Sequence, residues 1–167
     1  MDRKKTTEFL SRLLEKERFS GYSKYWAKEV SLDYGSVDVR RIDYLQFEPP
    51  NQCSISALEK GIFIAYEIKS CKADFKSGFG QNFIAEKNYL VMPMDTYKEV
   101  INEIPSKIGV LVPIPTWSDK YSEFENPTPL NSNIEDWKLA TIFAAHQKER
   151  NRSMVELLFC MLRSGKK

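Results

Sequence analysis

One nine-residue stretch, Gly61-Ile-Phe-Ile-Ala-Tyr-Glu-Ile-Lys69, constrains the fold of this chain more than any other. It is rich in β-branched and aromatic residues, contains no proline, and reads as a central β-strand. Side chains alternate between the two faces of a strand. Ile62, Ile64, Tyr66 and Ile68 therefore share a core face, and Phe63, Ala65, Glu67 and Lys69 share the other. That second face begins apolar and ends in a carboxylate and an ammonium group two residues apart. If Glu67 is buried it needs a partner, because an unpaired buried carboxylate is costly. Lys69 is one candidate and a divalent cation is another. Taken alone, the stretch is read more simply as a strand whose end reaches solvent.

The elements around it follow from periodicity and punctuation. Thr6 or Thr7 is positioned to cap a first helix carrying Phe9, Leu10, Leu13 and Leu14, which fades near Ser20-Gly21. Strands are predicted over 25–36 and 39–47, the second stopped by Pro49-Pro50. A polar loop runs to about Ser56. Residues 74–86 are mixed, with Gly78 and Gly80 interrupting any helix. A short strand over 89–92 ends at Pro93, Asp95 caps a short helix that Pro105 terminates, and a strand follows over 108–112. Pro113, Pro115, Pro127 and Pro129 then punctuate an irregular connection. Ser132 with Glu135, and Ser153 with Glu156, form capping-box patterns that predict helices over 134–149 and 153–163. The fold class is α/β or α+β: a mixed central sheet flanked by helices, with a C-terminal helical extension. The expected organisation is a core over 1–112, a connection over 113–133, and C-terminal helices over 134–167 packed on the same domain.

Composition narrows the class without identifying a partner. The 167 residues are 42% hydrophobic, 29% charged and 13% aromatic, as expected of one folded domain. A net charge of only +2 means that any nucleic-acid partner must be recognised by a local patch. Cys53, Cys71 and Cys160 are widely spaced and form neither a disulfide framework nor a zinc pattern. They are read as reduced thiols in a cytoplasmic protein. No apolar run follows the charged N-terminus as a signal peptide would require, and no stretch approaches membrane-spanning length.

Asp43 gives Glu67 its meaning. It lies in Arg41-Ile-Asp-Tyr-Leu-Gln-Phe47, an apolar strand with an acid inside it, where Asp is disfavoured. If the two strands are neighbours, Asp43 and Glu67 converge, and a cation would relieve their repulsion. Magnesium suits such an oxygen site and keeps several waters for a phosphate to displace. The competing reading is an ion pair between Asp43 and Arg40 or Arg41.

Asp43 followed by Glu67-Ile68-Lys69 on the next strand resembles the PD-(D/E)xK nuclease superfamily. The likeness extends through Ser70-Cys71-Lys72-Ala73-Asp74-Phe75 and the strand Tyr89-Leu90-Val91-Met92-Pro93. It covers roughly residues 8–112 and is sharpest over 40–93, where it is similar to small bacterial DNA-repair-associated proteins and prophage proteins of that superfamily. Ile42 stands where the motif often has proline. The resemblance implies a restriction-endonuclease-like core and a DNA nuclease, a phosphodiester hydrolase using Mg²⁺ or Mn²⁺ and no organic cofactor. The metal would be held by Asp43, Glu67 and the backbone carbonyl of Ile68. Lys69 would orient the attacking water or stabilise the transition state. A further glutamate is often used by the family; Glu8 is the first choice, with Glu15, Glu17 and the strand-borne Glu29 as others. Lys72, Lys76 and Lys87 are candidates for phosphate contacts.

Other features carry plainer readings. Phe75, Phe79 and Phe83 recur every four residues and are expected in the core, although exposed aromatics could stack on bases. His146, alone of its type, is expected on a late helix as an exposed or capping residue. Trp26, Trp117 and Trp137 are expected as core or interface anchors. Arg163, Lys166 and Lys167 are expected to form a solvated basic end. Gly78-Phe79-Gly80 is too short for a phosphate loop. Two further function classes stand beside the enzyme. One is a non-catalytic module that binds nucleic acid or a repair partner with the same fold. The other is an assembly protein that uses the apolar helix over 154–162 as the surface of a homodimer.

Overall fold

The computed structural model describes residues 1–51 and 54–164; Cys53, Lys166 and Lys167 lie outside the described residues. The first helix, α1 (Arg3–Leu14), starts earlier than Thr6: Asp2 is its cap and accepts from the Lys5 amide at 2.9 Å. Asp2 is as good a cap as the threonines and lies further upstream, so one more helical turn forms. A wider π turn (Glu15–Phe19) extends the helix and seats Phe19 against Trp26, Tyr44 and Tyr66.

Three strands follow as a meander: β1 (Tyr25–Leu32), β2 (Arg40–Glu48) and β3 (Ile62–Ile68), with the short α2 (Ile55–Glu59) before β3. The short α3 (Lys72–Lys76) leads to β4 (Lys87–Val91), which runs parallel to β3. The helix α4 (Met94–Val100) connects β4 to β5 (Gly109–Pro115), again parallel. After α5 (Lys120–Glu125) come the antiparallel β6 (Trp137–Phe143) and α6 (Met154–Ser164). The six strands lie in sequence order in one mixed sheet, giving an α+β architecture with helices on both faces.

Alternation along β3 and β4 sorts the core. Ile64, Tyr66, Ile68 and Val91 face α1, where they pack with Leu10, Leu13, Leu14, Leu111 and Trp137. On the other face, Phe63 and Ala65 join Leu45, Val30 and the α6 residues Leu157, Cys160 and Met161. Further across that face, Leu90 and Val110 pack with Met94, Tyr97 and Val100 of α4. Because Glu67 is in register with Leu90, it sits between these two apolar clusters.

The C-terminal third departs from expectation. No helix spans 134–149. Asn133 caps a single 3-10 turn (Ile134–Asp136), and the chain then forms β6. The local capping pattern is overridden because β5 is buried along its whole length and its outer edge needs a hydrogen-bonding partner. The alternation of Trp137 and Leu139 against Ala140 and Ile142 supplies that partner. Nor do the prolines end β5. Its pairing with β4 covers only Gly109 to Leu111, so Pro113 and Pro115 fall where one neighbour is already absent. His146 lies exposed in the extended segment after β6, its amide donating to the Lys107 carbonyl at 3.1 Å. The helix α6 is amphipathic: Leu157, Cys160 and Met161 are buried, and Val155, Phe159 and Leu162 are exposed. Of the tryptophans, Trp137 is fully buried, Trp26 is partly exposed and Trp117 is largely exposed. No helix among the described residues is long and apolar enough to cross a membrane.

Trp137 seals the outer half of the sheet: its ring meets Phe9 edge-on at 5.7 Å and its indole N–H donates to Asn131 at 3.0 Å. Trp137→Ala should therefore lower unfolding free energy by about 3–5 kcal/mol in a denaturant titration. A loss below about 1 kcal/mol would mean that β6 does not close the core.

Candidate functional site

The pairing of β2 with β3 runs Glu48–Ile62, Phe47–Phe63, Gln46–Ile64, Leu45–Ala65, Tyr44–Tyr66. One further step places Asp43 opposite Glu67. Directly opposed residues in an antiparallel pair share a face and approach closely. The regular ladder stops there, and Asp43 completes it with its side chain: Oδ2 accepts from the Ile68 amide at 2.8 Å. This contact replaces the expected alternative of an ion pair to Arg40 or Arg41. The Arg41 charge does act on Asp43, but more weakly than burial and the Ile68 amide.

Glu67 and Lys69 do not reach solvent as a strand end would; each is only 3% exposed. The chain continues past β3 along β4, with the Lys69 amide donating to the Val91 carbonyl at 2.9 Å. The following loop folds back over the pair. Asp74 braces its start, accepting from the Ser70 amide at 3.0 Å and the Ser70 hydroxyl at 2.9 Å, and meeting Arg3 at 2.9 Å. Lys69 Nζ donates to the Phe79 carbonyl. Gly80 lies directly on the carboxyl group of Glu67: a Cβ there would stand 2.5 Å from Oε2 and 3.6 Å from Lys69 Nζ. Its φ of 77° is a second reason for glycine.

Within this enclosure Glu67 Oε2 is buried and has no hydrogen-bond partner. Burial, reinforced by the Asp43 carboxylate beside it, pushes Glu67 up to about 9. Burial also raises Asp43, against the pull of the Ile68 amide and the Lys69 charge. Together these shifts oppose ionising both carboxyl groups at once, and either a shared proton or a bound cation would relieve that opposition. The donor set fits a hard cation, since it offers carboxylate oxygens, an orphaned one among them, with the Ile68 carbonyl adjacent in the chain.

The structure separates the remaining candidates. Glu8, Glu15 and Glu29 line a groove between α1 and β1 with Arg3, Arg12 and Lys28. Glu29 falls between Lys28 and Val30, which pair with Tyr44 and Ile42, so it stands across from Asp43. Its φ of 51° breaks the ladder there, and its side chain is exposed. Glu15 is occupied by Tyr44 at 2.5 Å and Lys28 at 3.1 Å. Among the described residues no third acid, His or Cys joins the pair to make a three-ligand group. Lys72 is exposed just past the Lys69 turn, while Lys76 pairs with Glu103 at 3.2 Å. Lys87 is in register with Ile64, about 10 Å along the strand from Glu67, and does not border the site. The sequence reading missed Gly80 and Asp74 as site-building residues. The glycine was visible as a helix breaker, but what it lies against was not.

No protein-family model matches the chain, and no curated protein does. Its fold is similar to that of a protein of unknown function from Silicibacter pomeroyi, with a TM-score of 0.57 and 13% identity over 96% of this chain and 83% of that one. This similarity concerns the fold alone.

The buried pair predicts a pH signature. Glu67 binds a proton more tightly folded (about 9) than its ordinary value of 4.5. The folded state therefore holds more protons than the unfolded state across that window, and stability falls as pH rises through it. Glu67→Gln, which cannot ionise, should flatten this slope and raise stability at pH 8 by about 1–3 kcal/mol, measured by chelator-treated denaturation from pH 5 to 9. An unchanged slope would show that Glu67 is not the buried acid. Gly80→Ala should be destabilising, with its defect relieved when combined with Glu67→Ala; additive effects in a double-mutant cycle would dismiss the close approach.

Proposed function

We propose that this chain is a divalent-metal-dependent nuclease that hydrolyses DNA phosphodiester bonds on a restriction-endonuclease-like core, in phage or bacterial DNA processing or repair. One observation carries the reading: a buried, unpartnered carboxylate oxygen of Glu67 stands against Asp43 with the Lys69 ammonium beside it. A fold keeps such an oxygen without a partner only at a cost, and a cation would offset it. The order of elements supports the reading too. A helix, a three-stranded meander, a short helix and a parallel fourth strand bring the acids together at one end of the sheet.

Asp43, Glu67 and the Ile68 carbonyl would hold Mg²⁺ or Mn²⁺. When bound, such an ion polarises a phosphodiester oxygen and lowers the pKa of a coordinated water. Asp43 is aimed by the Ile68 amide, which keeps its carboxylate oriented without help from solvent. Lys69 is aimed by the Phe79 carbonyl and would supply positive charge to a phosphorane-like transition state. Metal uptake would displace the proton from Glu67, so affinity would rise with pH.

A second reading has an observation of its own. Lys69 is engaged by the Phe79 carbonyl and Asp43 by the Ile68 amide, as they would be in a structural lock. On that reading the chain is a non-catalytic binder of nucleic acid or a repair partner. Metal titration separates the two. Mn²⁺ binding at pH 7 should release about one proton, read from the dependence of calorimetric heat on buffer ionisation enthalpy, and Glu67→Gln should abolish it. Heat that is absent or independent of buffer would favour the lock. Lys69→Ala should keep its circular dichroism spectrum and lose cleavage by on the order of 100-fold or more; full cleavage would remove Lys69 from the chemistry.

A further inference from the structure

The four-residue phenylalanine repeat splits in the folded chain. Phe75 is 5% exposed and belongs to the core, and Phe83 is partly buried against the α4 cluster, but Phe79 is 81% exposed. Its position is fixed by the site itself. Its own carbonyl accepts from Lys69, and the next residue, Gly80, lies on the Glu67 carboxyl group. The loop is tied down just after Phe79: Gln81 donates to the Phe75 carbonyl at 2.6 Å and Asn82 to the Arg41 carbonyl at 3.2 Å. Arg41 is exposed, lies two residues before Asp43, and its charge is felt there. The Phe79 backbone thus touches the site while its ring stands in water, and the exposed Arg41 lies on the strand that carries Asp43.

We propose that Phe79 is a stacking platform for an unpaired nucleobase, with Arg41 meeting the adjoining phosphate, so that the substrate is single-stranded or locally unpaired at the point of reaction. This rests on the nucleic-acid reading above and narrows it. Inside a duplex both faces of each base are covered by neighbours, and only an unpaired, terminal or extruded base has a face to offer. Stacking on an aromatic side chain is tolerant of sequence and adds to cationic contacts with the backbone.

Fluorescence anisotropy in chelator tests it without hydrolysis, using one labelled single strand, its blunt duplex, and the same strand carrying abasic sites. Wild type should prefer the single strand over the duplex. Phe79→Ala should bind the single strand about five- to 150-fold more weakly, leave duplex binding unchanged, and bind the abasic strand as wild type does; Phe79→Trp should retain single-strand affinity. Equal single-strand affinity in wild type and Phe79→Ala overturns the proposal, as does a loss shared equally by all three probes. Cleavage in Mn²⁺ is read separately. Cutting that ignores Phe79 sinks the stacking and leaves the nuclease reading standing. Phe79-dependent binding with no cutting supports the stacking and sinks hydrolysis.

Discussion

The site depends on a buried carboxyl group, Glu67, held against a part-buried one, Asp43. Like charges side by side in a low-dielectric enclosure oppose each other's ionisation. Burial and the facing Asp43 carboxylate raise Glu67, a cost that a shared proton or a cation would relieve. Everything around it enforces the approach. The β2–β3 register brings Asp43 opposite Glu67, the Ile68 amide anchors Asp43, and Gly80 closes the top. A surface carboxylate would relax into solvent; Glu67, only 3% exposed, does not.

The loop after β3 is what makes a strand end into an enclosure. Asp74 draws in Ser70 and Arg3, so the chain turns sharply after Lys69. The short α3 then buries Phe75, and the chain returns with Gly80 over Glu67. Lys69 ties the returning segment to the strand through Phe79. The same contacts that hold the ammonium in place leave the Phe79 ring facing outward, so the proposed chemistry and the proposed base contact come from one piece of backbone.

The cover on the two faces of the sheet explains why an enclosure can form at the end of β3. On the face carrying Glu67, α6 packs on β1 and joins the apolar cluster of the first three strands, and α4 packs with the later ones. Glu67 falls in the seam between the two apolar clusters. The opposite face is covered by α1, whose leucines pack beneath Ile64, Tyr66 and Ile68. Both faces of β3 are therefore buried, as its near-continuous apolar composition requires.

Much of this was legible in the residues. The alternation of β3, the acid inside β2 and the helical spacing of Phe9, Leu10, Leu13 and Leu14 are local patterns. Each states which side chains share a face, and each recurs in the folded chain. What failed were inferences where local and distant demands disagree. Residues 137–143 carry a helix-start signal just upstream, yet form a strand because the buried edge of β5 needed a partner. Phe79 shares its spacing with Phe75, yet faces water because the loop is tied to Lys69 rather than wound as a helix. Sequence alone thus determined which residues alternate, where strands are apolar and that two acids sit inside them. Only the tertiary structure decided that those acids meet, that Glu67 keeps a buried oxygen without a partner, and that a glycine from the loop after α3 closes over it. Periodicity is set by neighbours along the chain, whereas convergence is set by hydrogen-bond register and burial between segments that the chain order leaves far apart.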